Sequence, residues 1–145
     1  ADLPQNFEAH HLIPDSVAKN SLIMEVASRS GYDINNFNNG MALPKGLDSV
    51  QNQLDLPAHT KNSLEYKDYI GYQLKLLENN YLDQYREVAS IGTEPPSFET
   101  FMSIPKNKAG LIKDVQYIEN DVRSKLLEKK LFISKNDPSF PGYKY

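Results

Sequence analysis

Cysteine is absent from the 145 residues. That excludes a disulfide framework and thiolate zinc sites, so any metal must be held by histidine, carboxylate, amide or water. No uninterrupted apolar run is long enough to cross a bilayer, and no charged-then-apolar secretion signal opens the chain, so no membrane segment is expected. A Gly-rich phosphate loop, a serine nucleophile elbow and a dinucleotide fingerprint are also missing, which argues against a kinase, an esterase or a dehydrogenase. Internal repeats and low-complexity tracts are lacking. Histidine is scarce: His10 and His11 are adjacent in Glu8-Ala9-His10-His11-Leu12-Ile13-Pro14, and His59 stands in Leu56-Pro57-Ala58-His59.

The length fits one domain over residues 1–145 and is enough to bury a core without staples. The chain opens with Ala-Asp-Leu-Pro, compatible with a piece of a longer polypeptide. Net charge is −3, unevenly spread: residues 1–105 carry 7 Lys/Arg against 14 Asp/Glu, and residues 106–145 carry 9 against 5, or +4. Such asymmetry marks either a surface for an anionic polymer or, more commonly, a solvated helix face.

Residues 7–13 read as a strand ending at Pro14. Asp15 or Ser16 can then cap a helix running to Arg29, where Gly31 stops it. Asn39-Gly40 is a turn signal ahead of a strand at about Gly40 to Leu43. Residues 45–58 read as an irregular loop leading to His59. Asn62 with Glu65 makes a capping-box pattern, opening a long helix whose apolar positions Tyr66, Ile70, Leu74, Leu77, Tyr81 and Tyr85 recur at helical spacing. That helix is expected to end or bend near Asn79-Asn80. The tyrosines on it, Tyr69 and Tyr72 included, fit packing better than nucleobase platforms.

A Gly/Pro loop at 90–96 precedes a short helix at 98–104. Asn107 would cap a last helix reaching Phe132, with Leu111, Val115, Ile118, Val122 and Leu126 as its buried stripe. Lys113, Arg123, Lys125, Lys129 and Lys130 are the charges left to water or to a nucleic-acid backbone, and 137–142 reads as an irregular tail. The asparagine cluster 35–39 either lines a polar cleft or satisfies turns; the cleft role falls to Asn39, with Asn36 next.

Neighbouring imidazoles on an extended segment point to opposite faces, so one can hold a metal while the other takes a proton from water. Phosphodiester cleavage needs a metal at a non-bridging oxygen and the leaving group, and a base for an in-line water. His10 and His11 can supply both. Glu8, two residues before His10, lies on the same strand face and could orient a metal-side group. His59, just before a helix start, can return as a second ligand across the cleft.

These blocks together, the Glu8 to Pro14 segment, then Gly31-Tyr32-Asp33-Ile34-Asn35-Asn36, Asn39-Gly40-Met41-Ala42-Leu43-Pro44, and Leu56-Pro57-Ala58-His59 followed by Tyr66, resemble the AHH family of HNH nucleases in the ββα-metal superfamily. The resemblance covers about residues 7–85, leaving a helical, basic extension at 98–135. It implies a β-hairpin crossed by a helix within a mainly helical α+β fold. It also implies a metal ligand at His10, a general base at His11, a structural or orienting asparagine at Asn39 and a further ligand at His59. One divalent metal ion (Mg, Mn, Zn or Ni) is implied as cofactor, and DNA as partner, with RNA as the alternative polymer. Such domains are commonly toxin tips of large secreted bacterial proteins, delivered into a target-cell cytoplasm and paired with an immunity protein.

Ser63 stands where the family usually has another histidine, four residues after His59. Its hydroxyl is a poor zinc ligand, so two histidines and water would favour loosely held magnesium or manganese. Three origins are open: a natural variant, a degenerate fold used as an interaction module, or a deliberate substitution that silences the chain.

Overall fold

A computed structural model describes residues 7–44 and 64–131. His59, Ser63, Asn62, the 45–58 segment and the 137–142 tail lie outside them.

β1 (Phe7–His11) and β2 (Gly40–Pro44) form a two-stranded antiparallel sheet in which Glu8 faces Leu43, His10 faces Met41 and His11 faces Gly40. Alternation puts Glu8 and His10 on one face and Ala9 and His11 on the other. The first face looks inward: His10 is buried, as is Leu43, whereas Ala9 and Ala42 are exposed. β1 is shorter than the sequence suggests, because Leu12 and Ile13 leave the ladder and go into the core, both fully buried.

Residues 15–29 were expected as one helix and form two, α1 (Asp15–Ala18) and α2 (Leu22–Arg29). The break follows from Ser21, whose side chain accepts from the Met24 N–H and starts a new helix. Neither Asp15 nor Ser16 caps α1; Pro14 occupies that position without a side-chain bond. Gly31 does end α2, at φ +106, with the Tyr32 N–H bonding the Ala27 carbonyl as a left-handed cap requires.

The Asn-Gly pair does not close a tight hairpin. β1 and β2 are separated by residues 12–39, Asn39 ends a 3-10 turn (Phe37–Asn39), and Gly40 is extended at φ −110. A tight I′ turn would need positive φ at both residues.

α3 (Leu64–Ala89) passes straight through Asn79-Asn80, both exposed, so their low helix propensity is outweighed by packing on either side of them. α4 (Phe98–Met102) is capped by Ser97. α5 (Pro105–Leu127) starts with proline in its first turn rather than with an Asn107 cap. The Asn107 amide instead donates to the Phe101 carbonyl at 2.9 Å and ties α5 to α4. α5 ends at Leu127, earlier than Phe132, with Lys129 at φ 58 and the Lys130 N–H bonded to the Lys125 carbonyl at 2.8 Å.

One apolar cluster joins Leu12, Ile13 and Leu43 of the sheet region to Ile23 and Val26 of α2, Tyr66, Ile70 and Leu74 of α3, and Leu111, Val115, Val122 and Leu126 of α5. The fold is α+β and mainly helical, and the sheet meets α3 through His10 and Tyr66. Tyr66, Tyr69 and Tyr81 are buried as expected, Tyr85 is half-buried, and Tyr72 is exposed. No helix among the described residues is long and apolar enough to cross a membrane.

Candidate functional site

His10 sits against α3. Its Nε2 lies 3.1 Å from the Tyr66 hydroxyl, which lies 2.6 Å from the Leu12 carbonyl. A carbonyl only accepts, so the phenol proton goes to Leu12, and Tyr66 oxygen must accept from His10 Nε2–H. The lone pair of His10 is therefore on Nδ1. A metal-ligating histidine is commonly oriented in this way, through its other ring nitrogen.

His11 faces the other way and is half-exposed. Its Nε2 lies 2.9 Å from the Asn35 Oδ1. The amide oxygen is an acceptor, which puts a proton on Nε2 and the lone pair on Nδ1. Asn35 is itself set by its own N–H, bonded to Asp33 Oδ1 at 2.9 Å. The two imidazoles thus stand on opposite faces of β1, each with Nε2 engaged.

Asn39, fully buried, has a purely structural set of contacts. Its Oδ1 accepts from Ile13 N–H at 2.8 Å, while Nδ2 donates to the Ile13 and Ile34 carbonyls at 3.2 and 2.9 Å. Its carbonyl accepts from Leu12 N–H at 2.9 Å. These bonds close the segment after β1 onto the segment before β2. Asn36 caps the 3-10 turn, accepting from Asn39 N–H at 3.2 Å. Glu8 is half-buried on the His10 face.

Glu119 was not singled out by sequence. Its fully buried carboxylate accepts from Tyr32 Oη at 2.6 Å, Asn36 Nδ2 at 3.0 Å and Asn38 Nδ2 at 2.9 Å. Burial, and then this bond to Glu119, push the Tyr32 phenol far above its usual ionisation range. A glutamate four residues after Val115 and three before Val122, on the apolar stripe of α5, is the signal that could have found it.

The basic residues of α5 and of the turn after it divide. Arg123 was expected to face water or a partner; its guanidinium instead bonds the Asn38 carbonyl and, at 3.1 Å, Asn120 Oδ1. Lys125 pairs with Asp121 at 2.6 Å and lies 5.7 Å from the Tyr69 ring centroid; the Asp121 bond holds its ammonium above the usual lysine range. Lys130 makes a surface pair with Glu128, Lys129 occupies the left-handed cap, and Lys113 is exposed.

Among the described residues no three His, Asp or Glu side chains converge as a metal site. The donor chemistry that does fit is a single imidazole, His10, with its tautomer set for Nδ1 ligation. A cavity of about 500 Å³ is lined by Asp15, Lys19, Glu25, Arg29 and Tyr32, and neither His10 nor His11 is among its described lining residues.

A family model described as a nuclease family of the HNH/Endo VII superfamily with conserved AHH matches residues 2–95. Neither a search of curated proteins nor one of solved structures finds a match. HNH-superfamily nucleases generally use a divalent metal. With Ala9-His10-His11 on β1 and the match spanning the sheet and the whole of α3, the chain belongs to the AHH nuclease family of the HNH/Endo VII superfamily.

Proposed function

We propose that the chain is a metal-dependent endonuclease that hydrolyses phosphodiester bonds in DNA. The observation that supports this reading best is the division of labour at β1. His10 is buried and held by Tyr66 in the tautomer that suits a ligand, and His11 is half-exposed and held by Asn35 in the tautomer that leaves Nδ1 to act as a base.

In this reading His11 Nδ1 takes the proton of a water aligned with the scissile phosphorus. His10 Nδ1, with His59 from the segment outside the described residues, would hold one divalent ion. The bound ion would stabilise charge on the phosphate and on the departing oxygen. Tyr66 and Asn35 hold the two rings in register, Asn39 holds the backbone that carries them, and Glu8 sits on the ligand side. Arg123 has become part of the scaffold, which leaves Lys113 and the weakly paired Lys130 of the basic face to meet a phosphate backbone.

The biological setting that suits this chemistry is a toxin domain at the tip of a larger secreted bacterial protein, acting in the cytoplasm of a target cell and neutralised by a dedicated immunity protein. Incubation of plasmid DNA and of RNA with the chain, under magnesium, manganese, zinc or nickel in turn, tests the reaction and its polymer. Nicking and linearisation of DNA with any of these ions is the expected result; cleavage of RNA alone transfers the reading to a ribonuclease. Ser63→His is run beside it. Cleavage by that variant and by no other form would identify a silenced nuclease.

A further inference from the structure

Phe37 is 98% exposed, more than any other large apolar side chain among the described residues. Exposure of a phenyl ring is ordinary on a loose loop, but this ring stands on a fastened turn. On one side of it, Asn36 Nδ2 bonds the buried Glu119; on the other, Asn38 Nδ2 bonds the same carboxylate, and Arg123 holds the Asn38 carbonyl. The backbone is thus pinned to α5 at both neighbours of Phe37 while the ring itself touches almost nothing.

The turn also has a fixed relation to His11. Asn35, the hydrogen-bond partner of His11 Nε2, lies two residues before Phe37, so the two backbone positions are at most about 7 Å apart. A nucleic-acid strand advances about 3.4 Å per nucleotide and covers that distance in a few steps. Glu119, the one carboxylate in the clamp, is fully buried beneath three donors, and the half-exposed guanidinium of Arg123 lies beside the turn. Exposed Asp33, whose Oδ1 accepts from the Asn35 N–H, adds a negative charge near the turn, and Arg123 is the cation beside it that can meet a phosphate.

We propose that Phe37 is a base-stacking contact for the DNA substrate, receiving a nucleobase within a few nucleotides of the bond that His11 addresses; this rests on the nuclease reading above. Every base has a π face, so such a contact binds without selecting sequence. α5, which follows the region matched by the family model, acquires a role as the support that holds this ring out.

The test uses DNA duplexes carrying 2-aminopurine at successive positions around the cleaved bond, with binding read in a His11→Ala background and cleavage in the otherwise native chain. Native Phe37 is expected to change the emission of 2-aminopurine at one position. Phe37→Ala abolishes that change and raises KM about tenfold, with a smaller effect on kcat, while Phe37→Trp restores both. Because the ring is exposed, Phe37→Ala keeps the native melting temperature. If Phe37→Ala cleaves with unchanged KM and gives the same fluorescence pattern, the proposal is overturned and the nuclease reading stands. If the chain neither binds nor cuts DNA under any of the four metals, both are overturned together.

Discussion

Tyr66 and His10, 56 positions apart in sequence, are joined by a 3.1 Å hydrogen bond whose direction is set by the 2.6 Å bond from the same hydroxyl to the Leu12 carbonyl. This single phenol fixes the ring of the proposed metal ligand and satisfies the backbone just after it. Tyr66→Phe leaves a buried carbonyl and a buried ring N–H short of a partner, which costs about 1–3 kcal/mol by urea denaturation. In the folded variant, calorimetry with manganese should show affinity reduced about 10–100-fold, as for other groups that orient a ligand. Unchanged affinity would remove Tyr66 from the metal side of the site.

Asn39 joins both ends of the sheet connection through its side chain. Asn39→Ala strands the Ile13 N–H and two carbonyls in a fully buried place, for an expected loss of about 2–4 kcal/mol. Asn39→Asp should be at least as damaging, since a carboxylate replaces the amide that donates to the Ile13 and Ile34 carbonyls. Equilibrium unfolding of the two variants checks the order.

Lys129 adopts φ 58 just past α5, where glycine is favoured. Lys129→Gly should raise stability by about 0.5–1 kcal/mol in thermal unfolding. If Lys129 also meets a phosphate backbone, the same variant binds DNA more weakly and with a shallower salt dependence, so the two measurements separate its structural and electrostatic roles.

Burial raises the phenols of Tyr32 and Tyr81, helped by hydrogen bonds to Glu119 and Asp114 respectively. An unfolded tyrosine ionises near 10, so above that pH the unfolded chain releases protons that the native state keeps. The contribution of these phenols is complete below pH 10 and is lost as pH rises toward their folded values. Urea midpoints should therefore fall steeply above pH 10, and less steeply in Tyr32→Phe and Tyr81→Phe. A native profile that stays flat there would contradict the hydrogen-bonded burial of these two rings.

The stripe Leu111, Val115, Ile118, Val122 and Leu126 and the face of α3 were legible because periodicity encodes burial directly. Polar residues were harder to place. Asn39-Gly40 reads locally as a turn, yet the Asn39 amide is drawn into backbone bonds with Ile13 and Ile34, partners distant or invisible in a local pattern. Ser21 competes with its neighbours as a helix start, and the winner is set by the turn of chain at Lys19 and Asn20. Arg123 looked like a solvated charge because its acceptors, the carbonyls around Asn38, carry no sequence signal. The adjacent histidines were readable as a pair on opposite faces of one strand, while Tyr66 and Asn35, which hydrogen-bond them from elsewhere in the chain, looked like core and turn.

The most direct test of the account is plasmid cleavage by the native chain against His11→Ala, each with magnesium, manganese, zinc or nickel. The half-exposed His11 can be replaced without opening the core, so the variant should remain folded and keep its manganese affinity. Loss of the general base predicts cleavage slower by about 10²–10⁴-fold in that variant. Equal rates for the two proteins, at equal metal occupancy, would contradict the assignment of His11 as the base.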